Sequence, residues 1–209
     1  MDSYPALGIV MATHMEAKPF INEIPLQPIL TKPFRVYKND RIILIVTGIG
    51  KKAAEMGTRE LIQRYTITTA VNLGAAGWIT DTTEPGGVYA IDRVTDLEPV
   101  APGTASRYET ADILDGFPTA RLITADRPLM DKNDRDMVRH RGELVDMEGA
   151  SFLRVCRQHG VRAYIIKFVS DTPAHRTPNE ILLNIRMLRN AFYRTASEKI
   201  LPLLLKGNN

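Results

Sequence analysis

Acidic residues stand at three places where buried strands should end. Glu16 follows the apolar run from Leu7 to Ala12. Asp146 and Glu148 bracket Met147 at a strand-to-helix transition. Asp171 follows Ser170 at the end of the apolar run that begins at Ala163. A sheet built mainly of parallel strands gathers its site at their carboxyl ends, so these carboxylates can converge. Converging carboxylates suit general acid–base work and the stabilisation of positive charge that develops during reaction. Acids at helix starts also simply complement the helix dipole. That explanation serves Glu148 taken alone, and serves Ser170-Asp171, behind a buried strand, less well.

Other chemistries are poorly supplied. Thr47-Gly-Ile-Gly-Lys51 lacks the first glycine of a phosphate loop and has Lys52 where Ser or Thr is needed, so it reads as a strand-to-helix turn. No G-x-G-x-x-G fingerprint and no G-x-S-x-G elbow occurs. Of the four histidines, 14, 140, 159 and 175, none forms H-E-x-x-H, so no metal site is expected. His14, just after the first strand, is better read as incidental to a site. The single cysteine, Cys156, excludes a disulfide framework and falls on the apolar side of a helix, where a core role is expected. No cofactor is implied.

The elements that must position the acids can be read from periodicity. Short apolar runs at 7–12, 42–46, 69–73 and 163–170 read as buried strands, and 34–37 alternates like a half-exposed one. Further strand-like pieces lie at 88–91, 121–124 and 144–146. Gly74-Ala75-Ala76-Gly77 is expected to end the strand at 69–73. Residues 51–65 carry a helical stripe, a second helix runs from about Glu148 to Gly160, and Thr177-Pro-Asn-Glu180 is a capped helix start whose helix places Ile181, Leu182, Ile185, Leu188 and Phe192 on one face. Strands alternating with helices argue an α/β fold with a mainly parallel sheet. The stretch 96–120, rich in Pro and Gly, is the least regular and reads as a lid or a surface loop.

The chain has 209 residues, 44% hydrophobic and 24% charged, with a net charge of +3. That is one globular domain, 1–209, large enough to bury roughly 70% of its unfolded surface without cross-links. Three excess charges make no polyanion-binding face, so no nucleic acid is expected. The charge-free stretch 65–80 is interrupted by threonines and too short to cross a bilayer, and the N-terminus lacks a signal pattern. A cytoplasmic protein without membrane partners is expected.

In order along the chain, Gly8 to Glu16, Thr47-Gly-Ile-Gly-Lys-Lys-Ala-Ala54, Asn72-Leu-Gly-Ala-Ala-Gly77, and Val145-Asp-Met-Glu-Gly149 with Lys167-Phe-Val-Ser-Asp171 resemble the nucleoside phosphorylase/nucleosidase superfamily, closest to the bacterial methylthioadenosine/S-adenosylhomocysteine nucleosidases. The resemblance implies a three-layer α/β sandwich with a central twisted mixed sheet, a homodimer, and cleavage of the N-ribosidic bond of a purine-type nucleoside with a modified 5′ position. It places the general acid at Asp171, the ribose-hydroxyl ligand at Glu148 with Met147 under the sugar, and the water-activating carboxylate at Glu16. It places Ala75, Ala76 and Gly77 on the pocket wall, Ser170 beside Asp171 to orient it, and Lys167, where these nucleosidases usually carry Arg, near the water. Glycosidic cleavage builds oxocarbenium-like charge that a carboxylate stabilises, and an acid at purine N7 lets the base leave neutral.

Related phosphorylases carry Arg at the position of Asn72, so hydrolysis is favoured over phosphorolysis. Trp78 replaces a common Gly, and Arg127-Pro128 falls where an aromatic normally stacks on the purine. Futalosine-type or adenosyl-lipid nucleosides, a phosphate-dependent phosphorylase, and a non-catalytic nucleoside-binding protein are the alternatives.

Overall fold

In the computed structural model, residues 6–97, 108–175 and 177–206 are described. The elements run β1 (Ala6–Met11), α1 (His14–Glu23), β2 (Gln27–Leu30), β3 (Arg35–Lys38), β4 (Ile42–Val46), α2 (Lys51–Arg64), β5 (Ile67–Trp78), β6 (Val88–Asp96), β7 (Tyr108–Thr110), β8 (Thr119–Thr124), α3 (Lys132–Val138), β9 (Leu144–Asp146), α4 (Gly149–Gln158), β10 (Arg162–Asp171) and α5 (Pro178–Thr195). A π-helical turn, Ala196–Ile200, then leads into α6 (Leu201–Lys206).

β1 sits between β4 and β5, parallel to both, because its side chains are apolar on both faces. Leu7 and Ile9 pack with Phe20, Phe168, Phe192 and Leu204 under α1, α5 and α6. Val10 packs with Leu61, Phe152 and Cys156 under α2 and α4. Helices on both faces of one sheet make the three layers that the resemblance implied. Cys156 is fully buried and its thiol is pushed up by that burial, which makes it a core residue and no nucleophile.

The sheet is mixed, not mainly parallel. Among the described residues, five of ten strand pairings are antiparallel. The connections β2–β3 and β3–β4 are too short for a crossover and leave only a hairpin. β5 pairs with β1, β9 and β10, and the path β5-β9-β8-β6-β10 returns to β5, so this end of the sheet closes into a ring. Of the stretch 96–120, residues 98–107 lie outside the described residues; β7 pairs with β6, and Asp112 pairs with Tyr164.

The largest correction concerns Gly74-Ala75-Ala76-Gly77. These residues do not end a strand; β5 continues through them, in register with Lys167 to Asp171 of β10. The glycines mark close approach, not a turn. A Cβ at Gly74 would stand 2.9 Å from Glu16 Oε1, and one at Gly77 would stand 2.7 Å from Asp171 Oδ2. α1, α3 and the C-terminal turn and helix, all rich in polar or weakly periodic sequence, were not expected. The Thr177–Glu180 capping box is present as expected, but of the α5 stripe only Phe192 is fully buried, while Leu182 is exposed.

A third close approach fixes α2. A Cβ at Gly57 would stand 2.3 Å from Thr47 Cγ2, at the mouth of the turn that leads to Gly50. Helix propensity alone makes Gly57→Ala stabilising by about 1 kcal/mol. Overpacking opposes this by roughly 1–3 kcal/mol. The expected outcome is a lower denaturation midpoint for Gly57→Ala; a higher midpoint would show that α2 does not rest on Thr47.

Candidate active site

Asp171 is the last residue of β10. The β5–β10 register shifts between Val169 and Asp171, so Ser170 is an extra residue that re-aims the carboxylate. Ser170 Oγ donates to Asp171 Oδ1 at 2.5 Å and also approaches the Ala76 carbonyl at 3.3 Å. The other oxygen, Oδ2, accepts from Arg135 Nη2 at 2.5 Å, an ion pair with both side chains buried. Arg135 is pinned further by Nε donating to the Leu129 carbonyl at 2.7 Å and Nη1 to the Trp78 carbonyl at 2.5 Å.

Sequence reasoning missed Arg135. It lies in a segment so densely charged, Asp131 to Glu143, that it reads as a solvated face. The signal available was apolar residues on either side of the charged run, Leu129 and Met130 before α3 and Val138 at its end, and Val138 is buried on α3 with Arg135.

Glu16 lies in the first turn of α1. Its Oε2 accepts from the Thr13 amide at 3.1 Å and from Thr13 Oγ1 at 2.5 Å, while the Thr13 hydroxyl accepts from the Glu16 amide, completing a capping box. Its Oε1 accepts from the Ala75 amide at 2.8 Å. The carboxylate is thus both a helix cap and a strand contact, and it is buried. Thr13-x-x-Glu16 carried that signal in the sequence.

Glu148 precedes α4. Its Oε1 accepts from the Gly50 amide at 2.8 Å, a contact that needs Gly50 at φ 103°, where side-chain-bearing residues are strained. Burial raises its carboxyl to about 7, with Asp146 and Glu16 adding to the rise and Lys167 and the Gly50 amide opposing it.

Behind Glu148, Asp146 and Lys167 form a second buried pair at 2.8 Å. Asp146 also accepts from Thr124 Oγ1 at 2.8 Å and from the Gly149 amide at 2.9 Å, and so fixes the start of α4. Burial alone would lower the Lys167 ammonium; Asp146 and Glu148 outweigh it and hold it above its ordinary value.

These groups line one cleft of about 340 Å³, within the size range of small-molecule sites. Glu16, Ala75, Ala76, Gly77, Met147, Glu148, Ser170 and Asp171 all face it. Lys167 does not line it and acts on it through Asp146 and Glu148. Ile49, Leu129, Met130, Ile181, Leu182 and Ile185 give it an apolar side, and Pro128, Arg127, Arg135 and Asp146 also line it. Arg127 pairs with Asp134 at 2.7 Å. Trp78 packs against Tyr89, ring centroids 4.9 Å apart, and Asn72 is buried with its side chain donating to the Val10 carbonyl. His14 is exposed on α1 and its imidazole is lowered by partial burial and by Arg35 and Lys18. Among the described residues no three His, Cys, Asp or Glu side chains converge as a metal site, and no helix is long and apolar enough to cross a membrane.

The Glu148 carboxyl gives a signed prediction. Its folded value, about 7, lies above the ordinary 4.5. Between these values the folded protein keeps a proton that the unfolded chain has lost, so stability falls as pH rises through that window. At full ionisation the cost is about 3 kcal/mol. Glu148→Gln keeps the acceptor for Gly50 and should flatten this dependence, unfolding at higher denaturant than the parent above neutral pH. An unchanged pH profile would place the burial of charge elsewhere.

A sequence model described as the phosphorylase superfamily matches residues 6–132 and 117–205. The 5′-methylthioadenosine/S-adenosylhomocysteine nucleosidases of Geobacillus thermodenitrificans and Bacillus subtilis are 31% and 29% identical to the chain. The first match covers 62% of this chain and 66% of that one, the second 65% and 70%. Among solved structures, the apo 5′-methylthioadenosine nucleosidase of Arabidopsis thaliana superposes with a TM-score of 0.85 over 99% of this chain and 98% of its own, at 22% identity. The futalosine hydrolase of Helicobacter pylori superposes with a TM-score of 0.80 over 94% and 99%, at 16% identity. The superpositions establish a common fold. The family match spans both the sheet and the strand ends that carry the buried acids, and by that match the chain belongs to the phosphorylase superfamily.

Proposed function

We propose that this chain is a nucleosidase: it hydrolyses the N-ribosidic bond of a purine-type nucleoside with a modified 5′ position and releases the free base. The observation that carries the reading is the charge of the cleft. Four acidic side chains, Glu16, Asp146, Glu148 and Asp171, line it against two arginines. Each arginine already has a carboxylate partner, Arg127 with Asp134 and Arg135 with Asp171. Such a site favours a sugar that becomes positive and opposes a phosphate dianion. Water is therefore the nucleophile, and the phosphate-dependent reading is the weaker one.

In this reading Asp171 faces purine N7, takes up a proton from solvent when substrate binds and passes it to N7 so that the base leaves neutral, with Ser170 orienting it. Glu148, ionised, lies against the ribose hydroxyls and stabilises positive charge on the sugar more in the transition state than in the ground state. Met147 packs under the sugar. Glu16 takes the proton of the attacking water. Ala75, Ala76 and Gly77 form the wall against which sugar and base lie, and Lys167 holds Asp146 and the start of α4 in place. The apolar side of the cleft, from Ile49 to Leu182, suits an uncharged 5′ substituent. That agrees with the methylthioadenosine in the names of the relatives. A single-domain cytoplasmic homodimer completes the proposal; Ile49 and Met56, both exposed, offer apolar surface for a second copy.

The test is base release, read by liquid chromatography, from a nucleoside panel with and without phosphate. Release that is independent of phosphate is expected. Release only with phosphate would make the protein a phosphorylase, and no release would favour a binding protein. Asp171→Asn should lower turnover by about 100- to 10,000-fold. It also leaves Arg135 buried without its carboxylate, at a cost of roughly 3–5 kcal/mol. The rates are therefore compared at a temperature where circular dichroism finds both proteins folded. Near-normal turnover by folded Asp171→Asn protein would remove Asp171 from the chemistry.

A further inference from the structure

Pro19 lies inside α1 and is buried. A proline there supplies no N–H to the carbonyl four residues back, and its ring crowds that carbonyl. The residue four back is Met15, immediately before Glu16. Its freed carbonyl is taken up from outside the helix: Arg189 of α5 donates to it through Nη1 at 3.1 Å. The Nε of Arg189 is buried with no acceptor among the described residues, so the Met15 carbonyl is what holds this guanidinium. The same helix reaches the other acid. The Asn184 side-chain amide donates at 2.9 Å to the carbonyl of Ser170, immediately before Asp171. Further along α5, Phe192 and Tyr193 meet Phe20 of α1 edge to face, with ring centroids 6.2 and 5.1 Å apart.

We infer that Arg189 is a positioning residue for Glu16: it supplies the hydrogen bond that Pro19 withholds from Met15 and so fixes the turn of α1 from which the Glu16 carboxylate is aimed. The inference rests on the nucleosidase reading, in which Glu16 takes the proton of the attacking water. The carboxylate hangs between two supports, the Thr13 cap and the Ala75 amide. The cap moves with α1, whereas Ala75 belongs to the sheet. A shift of the first turn therefore stretches the Ala75 contact and misplaces the oxygen that receives the proton. The crowded Met15 carbonyl favours such a shift, and the guanidinium opposes it. Rate is steep in this geometry, since a displacement of about 1 Å can cost about 100-fold. Arg189 does not line the cleft, so it acts through Met15 and not on substrate.

The experiment uses Arg189→Met, which keeps the buried stem and removes the donors. On the nucleoside that the intact chain cleaves, kcat is expected to fall about tenfold with KM little changed, a part of the roughly 100- to 10,000-fold that a positioned acid–base group contributes. Pro19→Ala restores an N–H to the Met15 carbonyl, so in that background Arg189→Met is expected to lower kcat by less than about twofold. A tie that merely joined α1 to α5 would be lost equally in both backgrounds. An unchanged kcat in folded Arg189→Met protein, or the same loss with and without Pro19→Ala, overturns the inference. Hydrogen exchange of the Ala75 amide, read by NMR against that of Val71 in the same strand, needs no substrate. Arg189→Met is expected to speed Ala75 relative to Val71 by roughly fivefold, the scale of one weakened hydrogen bond, and Pro19→Ala to remove that effect. A ratio that Arg189→Met leaves unchanged overturns the inference. If the parent cleaves no nucleoside, the hydrolase reading fails separately and the exchange ratio decides. If Arg189→Met does not fold, recovery of the fold on adding Pro19→Ala supports the inference, and continued failure overturns it.

Discussion

Water solvates a carboxylate far better than a protein interior does, and this chain buries Glu16, Asp146, Glu148 and Asp171 around one cleft. Ionised groups in that setting need cations or oriented N–H groups close by. Each acid has its own compensation. Arg135 and Ser170 serve Asp171, Lys167 and Thr124 serve Asp146, the Thr13 and Ala75 amides serve Glu16, and the Gly50 amide serves Glu148. Glu148 is the least compensated, and its carboxyl accordingly rises to about 7. That residual cost is concentrated where positive charge on a sugar would relieve it, the pattern expected of a site that stabilises a transition state at the expense of the resting protein.

Much of the backbone follows from that constraint. Two glycines sit inside β5 because two carboxylates press against it. The shift in the β5–β10 register exists at Ser170, where Asp171 must turn into the cleft. Gly50 holds a left-handed conformation so that its amide reaches Glu148, and Gly57 lets α2 settle close enough to Thr47 for that amide to be in place. Closure of the sheet through β9 and β10 brings together strand ends far apart in the chain.

The repeating apolar runs made most strands and two long helices legible, and the position of each acid behind such a run made the cleft legible too. What stayed hidden depended on contacts between distant segments. A Gly-Ala-Ala-Gly sequence has the composition of a turn, and only the carboxylates packed against it explain why it continues as strand. Arg135 carries the same charge as its exposed neighbours, and its burial is decided by Asp171, 36 positions away. Strand direction depends on connection length and ring closure, to which periodicity is blind. The Thr13–Glu16 capping box was visible in the sequence, but the same glutamate's contact with Ala75 was not.

The central claim is that the negative cleft admits water and not phosphate as the nucleophile. The direct measurement is a single turnover in water enriched in heavy oxygen, with phosphate present, followed by mass analysis of the sugar product. The account predicts free sugar carrying one heavy oxygen at the anomeric carbon and no sugar phosphate. An unlabelled sugar 1-phosphate would contradict it and would require an anion site that the paired arginines of this cleft do not supply.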